Sequence, residues 1–378
     1  MPHDIAIYIH VPFCRRRCNY CSFVSYEHRE TEIPAYLSAL KKELVRRGHG
    51  EHVRSIYFGG GTPSLLSVRQ VGDILTTISS LFAVDEGIEV TMEANPGTIN
   101  VMYLTAIRAL GVNRLSLGVQ SMNNDELLLM GRIHTGPEAG EAVRFARNAG
   151  FDNLSLDLMY GLPGQTLRGW QNTLDMVLEM GPEHLSLYCL SLEADTPIWT
   201  AVKSKQIPDI DPDLSADQYE LAEDILSAHG YRHYEISNWA KPDRECQHNI
   251  TYWKYLPYLG VGVAAHSFID GRRLANTESI YEYLAAFSDD LEPKLYPDKE
   301  ISLELQLAEK IFLGLRLCDG IGVDDINSRF GIDLLECYSH QVGELAEAGL
   351  LECAGRQLRL TRRGRLLSNE VFWRFLPG

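Results

Sequence analysis

Short apolar runs rich in β-branched residues alternate with amphipathic helical runs along the first half of the chain. The apolar runs are "IAIYIHV", "RSIYFGG", "EVTMEANP", "RLSLGVQS", "NLSLDLMYG" and "HLSLYCLS". Helical stretches such as "VRQVGDILTTISSLF" and "GPEAGEAVRFARNAG" lie between them, and the second places Gly150 where a helix C-cap is expected. The alternation predicts an α/β fold in which βα units build a parallel sheet. A repeat of roughly 30 to 35 residues is typical of a (β/α) barrel, and we expect a partial six-unit, TIM-like barrel.

The pattern changes twice in the second half of the chain. A helix and strand, "ADQYELAEDILSAHG" and "YRHYEISNWA", extend the predicted sheet to about residue 240. An aromatic and Gly-rich segment follows, and after residue 299 three helical runs precede a hairpin, "LLECAGRQLRLTRRG". We therefore predict a core barrel at 1–240, a connecting segment at 241–298 and an α+β domain resembling a winged helix at 299–378.

Charge and hydropathy exclude several classes of partner. The net charge is -16, and the third helix of the winged-helix-like domain carries Glu336, Glu344 and Glu347, so we expect no nucleic-acid partner despite the arginines of the hairpin. No apolar run approaches the roughly 20 residues of a membrane helix, and the N-terminus lacks a signal-peptide pattern. We expect no integral membrane segment and a cytoplasmic location.

Three of the eight cysteines are clustered: Cys14, Cys18 and Cys21 form a CxxxCxxC motif directly after the first strand. A structural zinc site needs four protein ligands, and the chain has no second cysteine pair. Unligated thiols this close together are prone to oxidation. A 4Fe–4S cubane also takes four ligands, so three cysteines leave one iron open. The motif therefore predicts a 4Fe–4S cluster whose fourth ligand is a small molecule.

The ends of the other predicted strands carry glycines and polar side chains. "GGGTP" follows the second strand, Glu93 the third, Gln120 ends the fourth, and Asp157 lies in the fifth. Each alone could be a turn, a helix cap or a loop hydrogen bond, but all share the edge where barrel chemistry is located. Arg132 follows Gln120 and can pair with a carboxylate, the alternative being a surface ion pair.

The cysteine motif, its position after the first strand, and the strings "GGGTPS", "EANPGT", "SLGVQS", "GRIHT" and "DLMYGLPGQT" resemble the radical S-adenosylmethionine (SAM) superfamily. The resemblance implies that Cys14, Cys18 and Cys21 hold the cluster and that SAM chelates the open iron. It also implies that the protein can in principle cleave SAM reductively with an electron donor. The implied SAM contacts are Tyr8, Gly60, Gly61, Thr62, Glu93, Gln120, Arg132 and Asp157. From the residues alone, Tyr8 could equally be a core aromatic.

Within the superfamily, the chain resembles the branch that contains oxygen-independent coproporphyrinogen III oxidases and a group of heme chaperones. The oxidases have a further cysteine two residues after the third, where this chain has Phe23, and an N-terminal extension, where this chain has thirteen residues before Cys14. Both departures favour the chaperones. The oxidase, which decarboxylates a porphyrinogen oxidatively, remains the alternative, and a radical SAM enzyme with an unrelated substrate stays open.

The string "HNITYW", His248 to Trp253, matches the HNxxYW motif of these chaperones. His248 is the predicted axial heme ligand, with Tyr252 and Trp253 against the porphyrin. A structural histidine is the alternative reading of His248, and Cys246 and His266 are further candidate ligands. The resemblance implies a protein that binds heme and transfers it to heme-accepting proteins.

Overall fold

The structure is a computed structural model that describes residues 4–288 and 295–377, with the backbone alone in 295–300. The predicted alternation of strands and helices is present in the first half of the chain. In chain order the elements are β1 (Asp4–Val11), β2 (Phe13–Cys14), β3 (Tyr26–Glu27), α1 (Ile33–Arg47), β4 (His52–Gly60), α2 (Val68–Leu81), β5 (Ala83–Ala94), α3 (Val101–Ala109), β6 (Arg114–Gln120), α4 (Asn124–Leu129), α5 (Gly136–Asn148), β7 (Leu154–Tyr160), α6 (Leu167–Glu179) and β8 (His184–Cys189).

Local sequence signals set the limits of these elements. Ser67 and Gln70 form a reciprocal capping box at the start of α2, and Thr135 and Glu138 form another at α5. Gly150 follows α5 with φ +88°, the left-handed conformation that ends many helices. Strand β6 is buried at all but one of its positions, as expected for a parallel strand that is covered on both faces.

The elements that follow are α7 (Pro197–Lys203), α8 (Pro212–Ala228), β9 (Arg232–Glu235), β10 (Asn238–Ala240), α9 (Gln247–Trp253), β11 (Tyr258–Val261), β12 (His266–Ile269), β13 (Arg272–Asn276), α10 (Ile280–Ser288) and β14 (Leu295–Glu300). The segment predicted as a single strand after α8 is thus a pair, β9 and β10, that folds back antiparallel. The described residues of the predicted connecting segment, 241–298, include the helices α9 and α10, and its strands β11 to β13 join the same sheet as the βα units.

One sheet of twelve strands carries the fold, in the order β14-β13-β12-β11-β1-β4-β5-β6-β7-β8-β10-β9. The strands from β11 to β8 run parallel, whereas β12 to β14 and β9 to β10 are antiparallel at the two margins. The six predicted βα strands are therefore confirmed as a partial barrel, because β8 pairs with β10 and not with β1. Their carboxyl ends lie together at one edge, where ligands of such sheets bind.

The C-terminal part of the chain has the element order of a winged helix: α11 (Leu303–Leu315), β15 (Ile321–Gly322), α12 (Val323–Phe330), α13 (Leu334–Cys337), α14 (Ser339–Glu347), β16 (Leu351–Ala354), β17 (Gln357–Leu360), α15 (Arg362–Leu366) and α16 (Ser368–Phe372). Strands β15, β17 and β16 form a small sheet. This part has its own apolar core, which includes Ile311, Leu315, Val323 and Leu358.

Arginines of the hairpin region form ion pairs with carboxylates of the same chain. Arg356 pairs with Asp324 and Arg359 with Glu352. Arg365 pairs with Glu223 of α8. This ion pair links the C-terminal part of the chain to a helix of the βα region. None of the helices in the described ranges is long and apolar enough to cross a membrane.

Candidate functional site

The first predicted ligand, Cys14, ends the short strand β2 and is buried. The Thr62 hydroxyl, at the end of β4, donates to its Sγ at 3.6 Å. Gly61 lies so close that a Cβ on it would stand 3.0 Å from the Cys14 sulfur and 2.8 Å from the Phe13 carbonyl oxygen. The glycines of "GGGTP" therefore let the end of β4 pack directly against the cysteine.

Cys18 and Cys21 lie in one turn, where the Cys21 N–H donates to the Cys18 carbonyl at 3.1 Å. Asn19 anchors this turn: its backbone N–H donates to the Met130 carbonyl at 2.9 Å and its side chain to the Leu129 carbonyl at 2.8 Å. The cysteine loop is thus fixed to the C-terminal end of α4. Asn19 carries no motif of its own, and only its position between two cysteines could have singled it out.

All three cysteines line one cavity of about 400 Å³, called the cluster cavity below. In the described part of the chain, no three His, Cys, Asp or Glu side chains are close enough to hold a single metal ion. A cubane presents separate irons to its thiolates, so its ligands need not converge on one point. Burial raises the pKa of both the Cys14 and the Cys21 thiols, which disfavours free thiolates there.

Two carboxyl groups enter the cluster cavity, Glu93 from the end of β5 and Asp157 from the middle of β7. Glu93 accepts hydrogen bonds from the Tyr57 hydroxyl at 2.9 Å and the Gly60 N–H at 3.1 Å. Burial first, and the charge of Asp157 second, raise the pKa of Glu93 to about 7. Burial also raises the pKa of Asp157, which accepts from the Ser116 hydroxyl. Glu93 and Asp157 can therefore accept hydrogen bonds from a cationic or hydroxyl-bearing ligand, while the two carboxyl groups together carry less than two negative charges.

Arg132 joins the cluster cavity to the cysteine loop. Its Nη1 donates to Cys18 Sγ at 3.2 Å, and its Nη2 donates to the Gly118 carbonyl at 2.6 Å and to the Asn95 side chain. Nε is buried without a partner among the described residues. A bidentate contact with a carboxylate would require breaking one of these bonds, so Nε is the donor left for a ligand. Asn95 and Gly118 are contacts that the sequence did not indicate.

The remaining polar group of the strand ends is Gln120, which terminates β6 with φ +68° and lines the same cavity. Gly118 makes room for it, because a Cβ there would meet Gln120 Nε2 at 3.0 Å and Arg132 Nη2 at 3.1 Å. Of the residues predicted to hold cofactors, those that the cluster cavity brings together are Cys14, Cys18, Cys21, Gly60, Gly61, Thr62, Glu93, Gln120, Arg132 and Asp157. Two features fit a cluster with a small ligand on its open iron: Gly61 packs directly against Cys14, and the buried Nε–H of Arg132 has no partner among the described residues.

A second cavity, of about 520 Å³, lies beside the first and is called the aromatic cavity below. Its rings come from Tyr8, Phe23, Tyr252, Trp253, Tyr255, Tyr258 and Phe268. Its polar side chains include His10, His266, Arg273 and Glu278. Ser22 and Phe23 line both cavities, so the residues after Cys21 form the wall between them. The predicted SAM contact Tyr8 is placed in the aromatic cavity and not among the lining of the cluster cavity.

The predicted heme ligand His248 is buried, with 1% of its surface exposed. Its Nδ1 is 2.9 Å from the Ser55 hydroxyl and its Nε2 is 2.8 Å from the Tyr252 hydroxyl. Burial, followed by the charge of Arg114, lowers the pKa of His248 to about 3, so the ring is neutral. Both nitrogens are occupied, and His248 is not among the described residues that line either cavity.

The two further candidate heme ligands, Cys246 and His266, differ in burial and in access to the aromatic cavity. Cys246 is fully buried, and its thiol donates to Glu89 at 3.5 Å. Burial raises the pKa of Cys246 to about 12, which opposes a thiolate ligand. His266 is exposed at the start of β12 and lines the aromatic cavity. Several other residues of this cavity, such as Tyr258, Phe268 and Arg273, carried no sequence motif.

Comparison with known proteins identifies the superfamily and the fold. Residues 8–177 match the family model of the Radical SAM superfamily, and residues 301–367 match that of the HemN C-terminal domain. The structure of the coproporphyrinogen III oxidase HemN from Escherichia coli superposes with a TM-score of 0.87 at 24% identity, over 99% of this chain and 90% of that one. That likeness shows the fold. Together, the open βα sheet and its cysteine loop define a radical SAM protein, with a 4Fe–4S cluster and SAM as its cofactors.

Two curated relatives show to which family of radical SAM proteins the chain belongs. The heme chaperone HemW of Bacillus subtilis is 35% identical over 98% of both chains. The heme chaperone HemW of Lactococcus lactis is 36% identical over 98% of this chain and 96% of its own. This chain therefore belongs to the HemW family.

Proposed function

We propose that the protein binds heme in the aromatic cavity and transfers it to acceptor proteins. The observation that carries this proposal is the shared wall: Ser22 and Phe23 separate a ring-lined cavity from the cavity of the cluster cysteines. The names of the HemW relatives support the same function. A porphyrin there would lie next to the cluster and SAM.

The aromatic cavity suits a large, flat, mostly apolar ligand. Its volume of about 520 Å³ falls within the roughly 300–1,000 Å³ of small-molecule sites. Tyr252 and Tyr258 pack edge to face with their ring centroids 4.6 Å apart, and Tyr255 lies 4.4 Å from Phe268. Such rings supply contact area without hydrogen-bonding demands on the ligand face. Arg273 adds a cation that can pair with a propionate.

We also propose the cofactor assignments. Cys14, Cys18 and Cys21 hold the cluster, which supplies an open iron and electrons when bound. The SAM contacts are Gly60, Gly61, Thr62, Glu93, Gln120, Arg132 and Asp157. Tyr8, the remaining predicted contact, lines the neighbouring aromatic cavity. Gly60 and Gly61 allow the backbone to approach a ligand, and a Cβ on Gly60 would stand 2.6 Å from the His10 ring.

The proposal extends to the partners and the location of the protein. We propose that heme-accepting proteins are the partners, that an electron donor reduces the cluster, and that the protein works in the cytoplasm. Coproporphyrinogen oxidation is the competing activity. The likeness to HemN rests on fold alone, and Phe23 stands where the resemblance places the additional oxidase cysteine.

The test is an anaerobic heme titration of the reconstituted protein, followed by absorbance, beside an incubation with coproporphyrinogen III, SAM and reductant. We expect saturable binding near one heme per chain and no porphyrin conversion. Phe23→Ala, which removes a ring 66% exposed at the shared wall, should weaken heme binding several-fold. Val45→Ala, a 58% exposed apolar residue in α1, is the matched control and should not. Formation of protoporphyrinogen, or failure of the wild-type protein to bind heme, would contradict the proposal.

A further inference from the structure

The histidines near the aromatic cavity differ in whether their ring nitrogens are free. His10 has Nδ1 3.1 Å from the Tyr8 hydroxyl and Nε2 3.0 Å from the Val24 carbonyl oxygen. His248 has both nitrogens occupied by Ser55 and Tyr252. The imidazole of His266 makes no hydrogen bond to any of the described residues and is exposed on the cavity. A nitrogen can bind iron only if its lone pair is free, so His266 is the candidate that needs no rearrangement.

The backbone fixes where His266 stands. Strand β12 begins at His266, opposite Ala275 of β13, and crosses close to β11. A Cβ on Gly260 of β11 would collide with the His266 carbonyl oxygen, so only glycine allows this approach. Gly260 in turn pairs with Tyr8 of β1. The imidazole is thereby held on a strand of the main sheet, and β11 separates that strand from β1, which leads into the cysteine loop.

We propose that His266, and not His248, is the axial ligand of heme in the aromatic cavity, and that His248 is a positioning residue that holds Tyr252 in the cavity wall. This inference rests on the proposed function, because it names the iron ligand of the same site. The HNxxYW motif then contributes the rings of Tyr252 and Trp253 to the cavity, while its histidine holds Tyr252 in place.

Two charged residues of the cavity, Arg273 and Glu278, act on the exposed His266 ring. Partial desolvation of the ring, followed by the charge of Arg273, lowers the pKa of His266, while Glu278 opposes the shift. A neutral imidazole is the form that ligates a metal.

Arg273, in the same cavity, can bind a propionate of the same ligand. Its Nε donates to Glu309 at 2.8 Å and its Nη1 to the Tyr258 hydroxyl at 3.2 Å, while Nη2 has no hydrogen-bond partner among the described residues. Glu309 belongs to α11, so the C-terminal part of the chain orients this guanidinium. The free Nη2 can pair with a heme propionate while the remaining contacts hold the side chain in place.

His248 has the contacts expected of a positioning residue. Its ring stacks on Tyr57 with centroids 4.9 Å apart, and it accepts or donates a hydrogen bond at each nitrogen. The Tyr252 hydroxyl is 2.8 Å away. A change at His248 therefore reaches the heme site through Tyr252 and should alter affinity without changing the iron ligand.

The experiment is a titration of ferric heme into wild type, His266→Ala, His266→Met and His248→Gln, read by absorbance and electron paramagnetic resonance. His340→Ala, an exposed histidine of α14, is the matched control. We expect His266→Ala to bind heme at least tenfold more weakly and to lose the imidazole-ligated spectrum, and added imidazole to restore that spectrum. His266→Met should bind heme with a thioether-ligated spectrum. His248→Gln should keep the wild-type spectrum with at most a few-fold loss of affinity.

The outcomes separate this inference from the proposed function. If the wild type binds heme and His266→Ala shows the same spectrum and affinity, His266 is not the ligand and only this inference fails. Loss of the imidazole-ligated spectrum in His248→Gln, with retention in His266→Ala, would assign the iron to His248. Absence of heme binding by the wild type would overturn the proposed function and this inference together. Iron–sulfur absorbance from the other cavity reports that each variant is folded, and His266→Met decides if His266→Ala does not fold.

Discussion

Replacing Gly61 by alanine should damage the cluster site without removing any polar group. Gly61 does not have a positive φ, so alanine can adopt its backbone conformation and the effect is purely steric. The added Cβ would lie 2.8 Å from the Phe13 carbonyl oxygen, 3.0 Å from the Phe13 nitrogen and 3.0 Å from Cys14 Sγ. Optimal separations are about 3.5–4.0 Å, so β2 or the end of β4 must move.

Two of the three atoms belong to the backbone and cannot be relieved by rotating a side chain. Overpacking of this kind costs about 1–3 kcal/mol, and each kcal/mol lowers a thermal midpoint by about 2–4 °C in domains of 150–250 residues. We therefore expect Gly61→Ala to unfold several degrees below wild type. Because Cys14 must shift, we also expect less iron and sulfide per chain after anaerobic reconstitution.

Gly343→Ala is the matched control for this substitution. Gly343 lies in α14, and a Cβ there would meet nothing within 4 Å. Alanine in a helix interior should stabilise the protein by about 0.5–1 kcal/mol and leave the iron content unchanged. A Gly61→Ala protein with the iron content and thermal midpoint of wild type would refute the close approach of β4 to Cys14.

Two further predictions concern the cysteines and the buried histidine. Cys18→Ser should abolish iron–sulfur absorbance after reconstitution, whereas Cys353→Ser, an exposed cysteine of β16, should keep it; full iron in the first variant would remove Cys18 from the ligand set. The pKa of His248 falls from 6.5 to about 3 on folding, so the unfolded chain binds the extra proton and stability is lost as the pH falls below 6.5. At pH 5 this amounts to about 2 kcal/mol relative to neutral pH, at 1.36 kcal/mol for each pKa unit. The unfolding midpoint of His248→Gln should therefore drop less between pH 7 and pH 5 than that of wild type, and equal slopes would contradict the buried neutral ring.

The sequence by itself determined the repeating part of the fold. Period-2 and period-3.6 hydrophobic patterns are local, so the six βα units, the capping box at Ser67 and the C-terminal glycine of α5 could be read from neighbouring residues. Parallel strands place their carboxyl ends at one edge. That rule alone predicted that Glu93, Gln120 and Asp157 would meet the cysteine loop, and the structure brings them into one cavity.

Only the tertiary structure decided which histidine faces open space. The Ser55 hydroxyl that occupies His248 is 193 residues away in the sequence, and no local pattern reports such a partner. The same holds for the aromatic cavity, whose rings come from β1, the cysteine loop, α9 and β11 to β12. Burial depends on how distant segments pack, whereas a motif reports only what is adjacent along the chain. For that reason the HNxxYW motif indicated the region of the cavity, but the state of each imidazole emerged only from the folded chain.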